Sequence, residues 1–124
     1  MNPIHRRACL ALAACGALAA LAAPGALAQT YPAKPITMVV PFPPGGPTDM
    51  VARLLAQKLS EQMGQPVVVD NKPGANGNIG GALVSKAAAD GHTLLYNTSS
   101  ITLSPALYKS MQYDVLRDLA PVAL

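Results

Sequence analysis

The sequence predicts an α/β fold that opens a parallel sheet in βαβαβ order, one half of a doubly wound arrangement. Three observations predict it. Short apolar or β-branched runs recur at Ile36 to Val40, at 67–69 and at 93–96. Segments of helical spacing separate them, and clusters of Gly, Pro, Asn and Asp punctuate every junction. Strands alternating with helices at this spacing pair in parallel through right-handed crossovers.

Each element has its own reason. Ile36 to Val40 is continuous in apolar and β-branched residues apart from Thr37, as expected of a strand buried on both faces. The run Pro41-Phe42-Pro43-Pro44-Gly45-Gly46-Pro47 then supports neither a helix interior nor a ladder. Thr48 is placed to cap a helix, and Asp49 in its first turn suits the positive helix end. Val51, Leu54, Leu55, Leu59 and Met63 follow at helical spacing and predict one apolar stripe. Gly64 is the predicted left-handed stop.

Val67-Val68-Val69 is the second strand, and an Asn-, Pro- and Gly-rich loop is expected over 70–78. A helix of small residues is expected over 79–88, packed closely on the sheet. Asp90-Gly91 makes a turn and Thr93 to Tyr96 the third strand. Thr98-Ser99-Ser100 reads as a polar loop, with a short helix expected over 105–110 and a further apolar segment from Leu119.

The first 28 residues read as an export leader. Arg6-Arg7 precedes an almost unbroken Ala/Leu run, Pro24-Gly25 breaks it, and Ala26-Leu27-Ala28 has the small–x–small form of a signal-peptidase site. Cleavage after Ala28 places the product in the periplasm. Two other readings compete: a retained membrane anchor, and a lipoprotein at Cys15, where Leu12-Ala13-Ala14-Cys15 resembles a lipobox. The paired arginines leave Sec and twin-arginine export both open.

Composition narrows the function. The chain has 124 residues, 51% hydrophobic and 12% charged, enough for one small domain rather than a disordered polar tail. From Gln29 onward seven Lys/Arg face six Asp/Glu, so the basic balance belongs to the leader and no nucleic-acid surface is expected. Both cysteines, Cys9 and Cys15, lie in the leader, so residues 29–124 are expected to fold without a disulfide. With one His and no Cys beyond the leader, neither a nucleophile–base pair nor a zinc site is expected. Gly74, Gly77 and Gly80 lack the Gly-x-Gly-x-x-Gly spacing of a dinucleotide loop, and no Gly-x-x-x-x-Gly-Lys phosphate loop is present. The expectation is no enzyme, no metal and no cofactor.

In open parallel sheets a ligand sits beyond the carboxyl ends of the strands. Here those ends carry Pro43 to Asp49, Asn71 to Gly80 and Asn97 to Ser100. Glycines admit a ligand to backbone N–H groups, and two helix N-termini there would hold a carboxylate or phosphate. Each loop alone also reads as an ordinary tight turn; two in succession favour a site.

At these loops the chain closely resembles the Bug-type receptors, the extracytoplasmic substrate-binding proteins of tripartite tricarboxylate transporters. The resemblance rests on Tyr31-Pro32-Ala33-Lys34-Pro35-Ile36, Val39-Val40-Pro41-Phe42-Pro43-Pro44-Gly45-Gly46-Pro47-Thr48-Asp49 and Ala52-Arg53. It continues through Gly64-Gln65-Pro66-Val67-Val68-Val69-Asp70-Asn71-Lys72-Pro73-Gly74-Ala75, Asp90-Gly91-His92-Thr93-Leu94-Leu95, Tyr113-Asp114 and Asp118-Leu119-Ala120-Pro121-Val122. It implies a two-lobed periplasmic-binding-protein fold. On this reading 1–28 is the signal peptide, 29–124 is the first part of lobe one, and the second lobe is absent from a truncated chain. The implied ligand is a small organic carboxylate and the implied partner a membrane permease, with membrane contact only through the leader or the transporter.

Carried over by position, the implied binding residues are Pro44, Gly45, Gly46 and Asp49 in the first loop. In the second they are Ala75, Asn76, Gly77 and Asn78. The sequence Ala75-Asn76-Gly77-Asn78 departs from the Ala-Gly-Gly common in the family, so side-chain amides are expected to add contacts or alter ligand choice. His92 replaces a usual Tyr and is expected to be structural. The alternative reading is an exported fragment or interaction module with no solute ligand.

Overall fold

The computed structural model describes residues 30–123. The leader, both cysteines, the cleavage site after Ala28 and Leu124 lie outside the described residues. Strand β1 (Ile36–Val40) is central, with β2 (Val67–Asn71) and β3 (Thr93–Leu95) parallel to it on either side. The register sets Met38 opposite both Val69 and Leu94.

A central strand in a sheet covered on both sides has no wet face, which is why β1 carries no alternation. Ile36, Met38, Val39 and Val40 are all buried. Complete burial of a valine contributes about 1.5–3 kcal/mol, so Val39 and Val40 anchor the two faces. Met38 and Val40 pack against Ala52 and Ala56 of helix α1 (Pro47–Met63), with Leu59, Val67, Val69 and Tyr96 around them. On the opposite face, helix α2 (Asn78–Val84) brings Gly80 against Val39 and Pro41. The two crossovers therefore lie on opposite faces, as right-handed connections require when the first runs outward from β1 to β2 and the second returns past β1 to β3.

Several sequence expectations need correction. The predicted stripe on α1 is buried only in part: Leu59 packs on the core and Met63 is half-buried, but Val51, Leu54 and Leu55 are exposed, while Asp49, Ala52 and Ala56 are buried. The sheet supplies the bulk with Met38 and Val40, so the close helix–sheet contact takes the small residues. Thr48 is not the cap. Gly46 occupies that position and Pro47 starts the helix, where its missing N–H costs nothing. Gly64 stops α1 with φ 68°, as expected.

Strand β2 runs on through Asp70 and Asn71, residues expected in the loop. Helix α2 ends at Val84, earlier than expected, in a turn closed by Lys86 and Ala87 N–H bonds to Leu83 and Val84. Its close packing is as expected: a Cβ at Gly80 would lie 2.8 Å from Pro41 Cβ, and one at Gly81 would strike the Tyr113 hydroxyl. Helix α3 (Ser100–Leu107) begins before the expected 105–110 and contains Pro105. From Leu119 to Ala123 there is no regular element.

Candidate ligand-binding site

All three strands are parallel, so their carboxyl ends open on one edge of the sheet. The first loop leaves β1 at Pro41, which is buried against α2. Gly45 adopts φ 80°, a left-handed conformation that glycine accepts without a Cβ clash. Its N–H donates to Asp49 Oδ2 at 2.8 Å. The same oxygen accepts Arg53 Nε at 2.8 Å, and Oδ1 accepts Asn71 Nδ2 at 2.8 Å. Asn71 also donates to the Phe42 carbonyl and accepts from Arg53 Nη2 at 3.0 Å.

Asp49 is thus turned inward, 2% exposed, beneath the loop. The Arg53 guanidinium, then the Gly45 amide and the Asn71 amide, hold its carboxyl well below the usual carboxylate range. Its charge in turn raises the pKa of Arg53. The loop exposes Pro43, Pro44, Gly45 and Pro47, with Gly46 half-buried between them. Helix geometry leaves the Gly46, Thr48 and Asp49 amides without intrahelical partners, whereas Met50 N–H already bonds Gly46 O.

The second loop is unusual in its backbone. Gly74, Ala75, Asn76 and Gly77 have φ of 132°, 47°, 54° and 97°, four left-handed residues in succession. Asn accepts this conformation better than Ala does. A 3₁₀ turn (Ala75–Gly77) closes with Gly77 N–H on Gly74 O at 3.0 Å. Ala75 and Asn76 are exposed, Asn78 is half-buried and Gly77 is buried. Helix α2 is only seven residues long. The second loop therefore acts through its individual amides more than through a helix dipole, which modifies the expectation of two converging helix ends. Beside it lies a hollow of ≈ 180 Å³ lined by Ala75, Asn78, Ile79, Ala82, Tyr108 and Met111, among others.

Pro41 and Asn97 bring the loops together. A Cβ at Gly77 would lie 3.3 Å from Asn97 Nδ2 and 3.5 Å from Pro41 Cγ, so the residues that follow β1 and β3 both border this glycine, while Asp49 of the first loop is tied instead to Asn71 at the end of β2. Asn97 and the supporting pair Arg53 and Asn71 were not among the expected site residues. Asn97 was visible only as part of a polar loop, and the other two become relevant through contacts distant in sequence. His92 sits away from this edge, before β3, with its ring edge-on to Tyr31 and Nδ1 3.0 Å from the Asp90 carbonyl. Lys34, with the His92 amide, lowers the Asp90 pKa to about 2. That cluster fastens the amino-terminal segment, in keeping with a structural His92. Among the described residues no group of three or more His, Cys, Asp or Glu is placed to hold a metal, and no helix is long and apolar enough to cross a membrane.

The arrangement offers backbone amides and small polar side chains without a free cationic side chain at its centre, a chemistry suited to an oxyanion. The family model described as tripartite tricarboxylate transporter family receptor, TctC, matches residues 51–124. The chain belongs to the TctC family. Over 99 residues it is 54% identical to the protein BugT of Bordetella pertussis, covering 78% of this chain and 30% of BugT. This TctC chain is similar in structure to the periplasmic binding protein BugD, with 46% identity and a TM-score of 0.66 over 68% of this chain and 28% of that one. It is also similar to R. palustris Rpa4515, solved with adipate, with 47% identity and a TM-score of 0.64 over 68% and 28%. The TctC chain thus spans about 30% of the length of the curated relatives it matches.

Proposed function

We propose that this chain carries the carboxylate-binding edge of a periplasmic solute receptor that delivers a small organic acid to a membrane permease. The observation that carries the reading is that all three parallel strands end on one edge, with Pro41 and Asn97 bordering Gly77 there. A family member of similar structure solved with adipate supports the ligand class. On this reading Gly46, Ala75 and Asn76 offer amides to the carboxylate, and Pro44 and Gly45 line its approach. Gly77 and Asn78 close the second turn through their N–H bonds to the Gly74 and Ala75 carbonyls, and Asp49 supports the first loop from behind. Residues 1–28 serve as a cleaved export signal and 29–124 as the first part of lobe one. The role is binding and delivery, without catalysis.

Affinity follows from the same geometry. Exposed helix-end contacts are worth about 0.3–1 kcal/mol each, and a millimolar Kd already requires about 4 kcal/mol. A ligand held on one open edge therefore binds weakly. Adipate titrated into the ¹⁵N-labelled exported chain should shift the backbone amides of Gly46, Thr48, Ala75 and Asn76, with a Kd of about a millimolar or weaker. An absence of any amide response at tens of millimolar adipate, ~20 mM or more on this scale, would instead favour an exported fragment with no solute ligand.

A further inference from the structure

Asn97 is the first residue to leave the β3 ladder, since the Tyr96 N–H still bonds Val39 O at 2.9 Å. Its carboxamide is locked. Oδ1 accepts the Thr98 N–H at 2.8 Å and the Ser100 hydroxyl at 3.0 Å. A backbone N–H can only donate, so the atom it meets is the oxygen and the amide orientation is determined. The amide lies alongside Gly77, with Nδ2 3.3 Å and Oδ1 3.4 Å from where a Cβ there would sit, and Nδ2 is buried with no hydrogen-bond partner.

A buried amide donor without an acceptor is unfavourable, and such groups are rare in folded proteins. The segment it faces is itself in an unfavourable conformation, with Ala75 and Asn76 both left-handed. Two costly features lie against one another in the loop that the carboxylate reading uses. A trans peptide directs its N–H and C=O in opposite directions. The Ala75 and Asn76 N–H groups, unlike those of Gly77 and Asn78, are not tied within the turn, so an anion that engages them leaves the attached carbonyls directed away from it.

We propose that Asn97 is a positioning residue for the second loop: its Nδ2 donates to a backbone carbonyl of the 74–77 turn when the amides of that turn engage a carboxylate. Ligand binding supplies the acceptor that the free protein lacks, and the third loop thereby contributes to affinity without touching the ligand. Gly77 is required because a Cβ there would enter the space between the turn and the amide. This proposal rests on the carboxylate reading.

The side-chain NH₂ pair of Asn97 in the ¹⁵N-labelled chain tests it directly. On adipate addition the pair should move downfield in step with the Ala75 and Asn76 backbone amides, and its exchange with solvent should slow. Asn97→Ser keeps a hydroxyl oxygen for the Thr98 N–H and removes Nδ2. It should weaken adipate binding about tenfold (~1.4 kcal/mol) while leaving the thermal midpoint nearly unchanged. An Asn97 pair that stays fixed while the loop amides shift overturns the proposal and leaves the carboxylate reading standing, as does undiminished affinity in a folded Asn97→Ser. If no loop amide responds to adipate, both fall together.

Discussion

The Asp49 carboxylate accepts the backbone N–H of Gly45 at 2.8 Å, reaching four residues back across the start of α1. Arg53 and Asn71 also donate to it, so the acid at the first loop braces that loop and ties it to the end of β2.

Asp49→Asn should therefore destabilise the fold more than it alters ligand choice. The carboxyl pKa is depressed below its usual 3.8, so its stabilisation is fully present above about pH 5 and is lost as pH falls toward the folded-state value. Thermal melts of both proteins from pH 7 to pH 2 should show a clear deficit for the variant at pH 7 and a narrowing gap on acidification. A gap independent of pH would mean that the charge contributes nothing.

Two glycines separate packing from approach. Gly46 has φ −78°, and a Cβ there would meet only Pro43 O at 3.5 Å, an ordinary contact. Gly46→Ala should change stability by no more than about 0.5 kcal/mol while weakening adipate binding. Gly80→Ala forces a methyl to within 2.8 Å of Pro41 Cβ. Overpacking of this kind costs about 1–3 kcal/mol, more than the roughly 1 kcal/mol gained in helix propensity. Urea unfolding of the pair should rank them in that order; equal stability would contradict the packing of α2 on β1.

The buried face of α1 is testable in the same way. Leu54 is 60% exposed and Ala56 only 3%. Leu54→Lys should leave the thermal midpoint nearly unchanged and reduce self-association. Ala56→Leu should cost about 1–3 kcal/mol, or roughly 4–8 °C per kcal/mol for a domain of this size. The opposite ranking would place the apolar stripe against the sheet.

The export reading gives a mass. The periplasmic product should begin at Gln29, within the sequence Ala26-Leu27-Ala28-Gln29. Intact-mass measurement of the secreted chain checks it, and a lipid on Cys15 would refute it.

The order of elements, all three strand starts and the stop at Gly64 followed from the sequence alone. Those features are local: β-branched runs, proline's missing N–H and glycine's tolerance of positive φ act within a few residues. Tertiary packing decided the rest. Whether α1 buried Val51, Leu54 and Leu55 or Ala52 and Ala56 depended on how much volume Met38 and Val40 already filled, which no helical periodicity records. Asp49 was legible as a first-turn acid, but its inward orientation required Asn71, a partner 22 residues away on another strand. The positive-φ run over 74–77 and the unpartnered Asn97 Nδ2 likewise become visible only once β1, β2 and β3 bring their carboxyl ends to one edge, where a Cβ at Gly77 would crowd Asn97 at 3.3 Å.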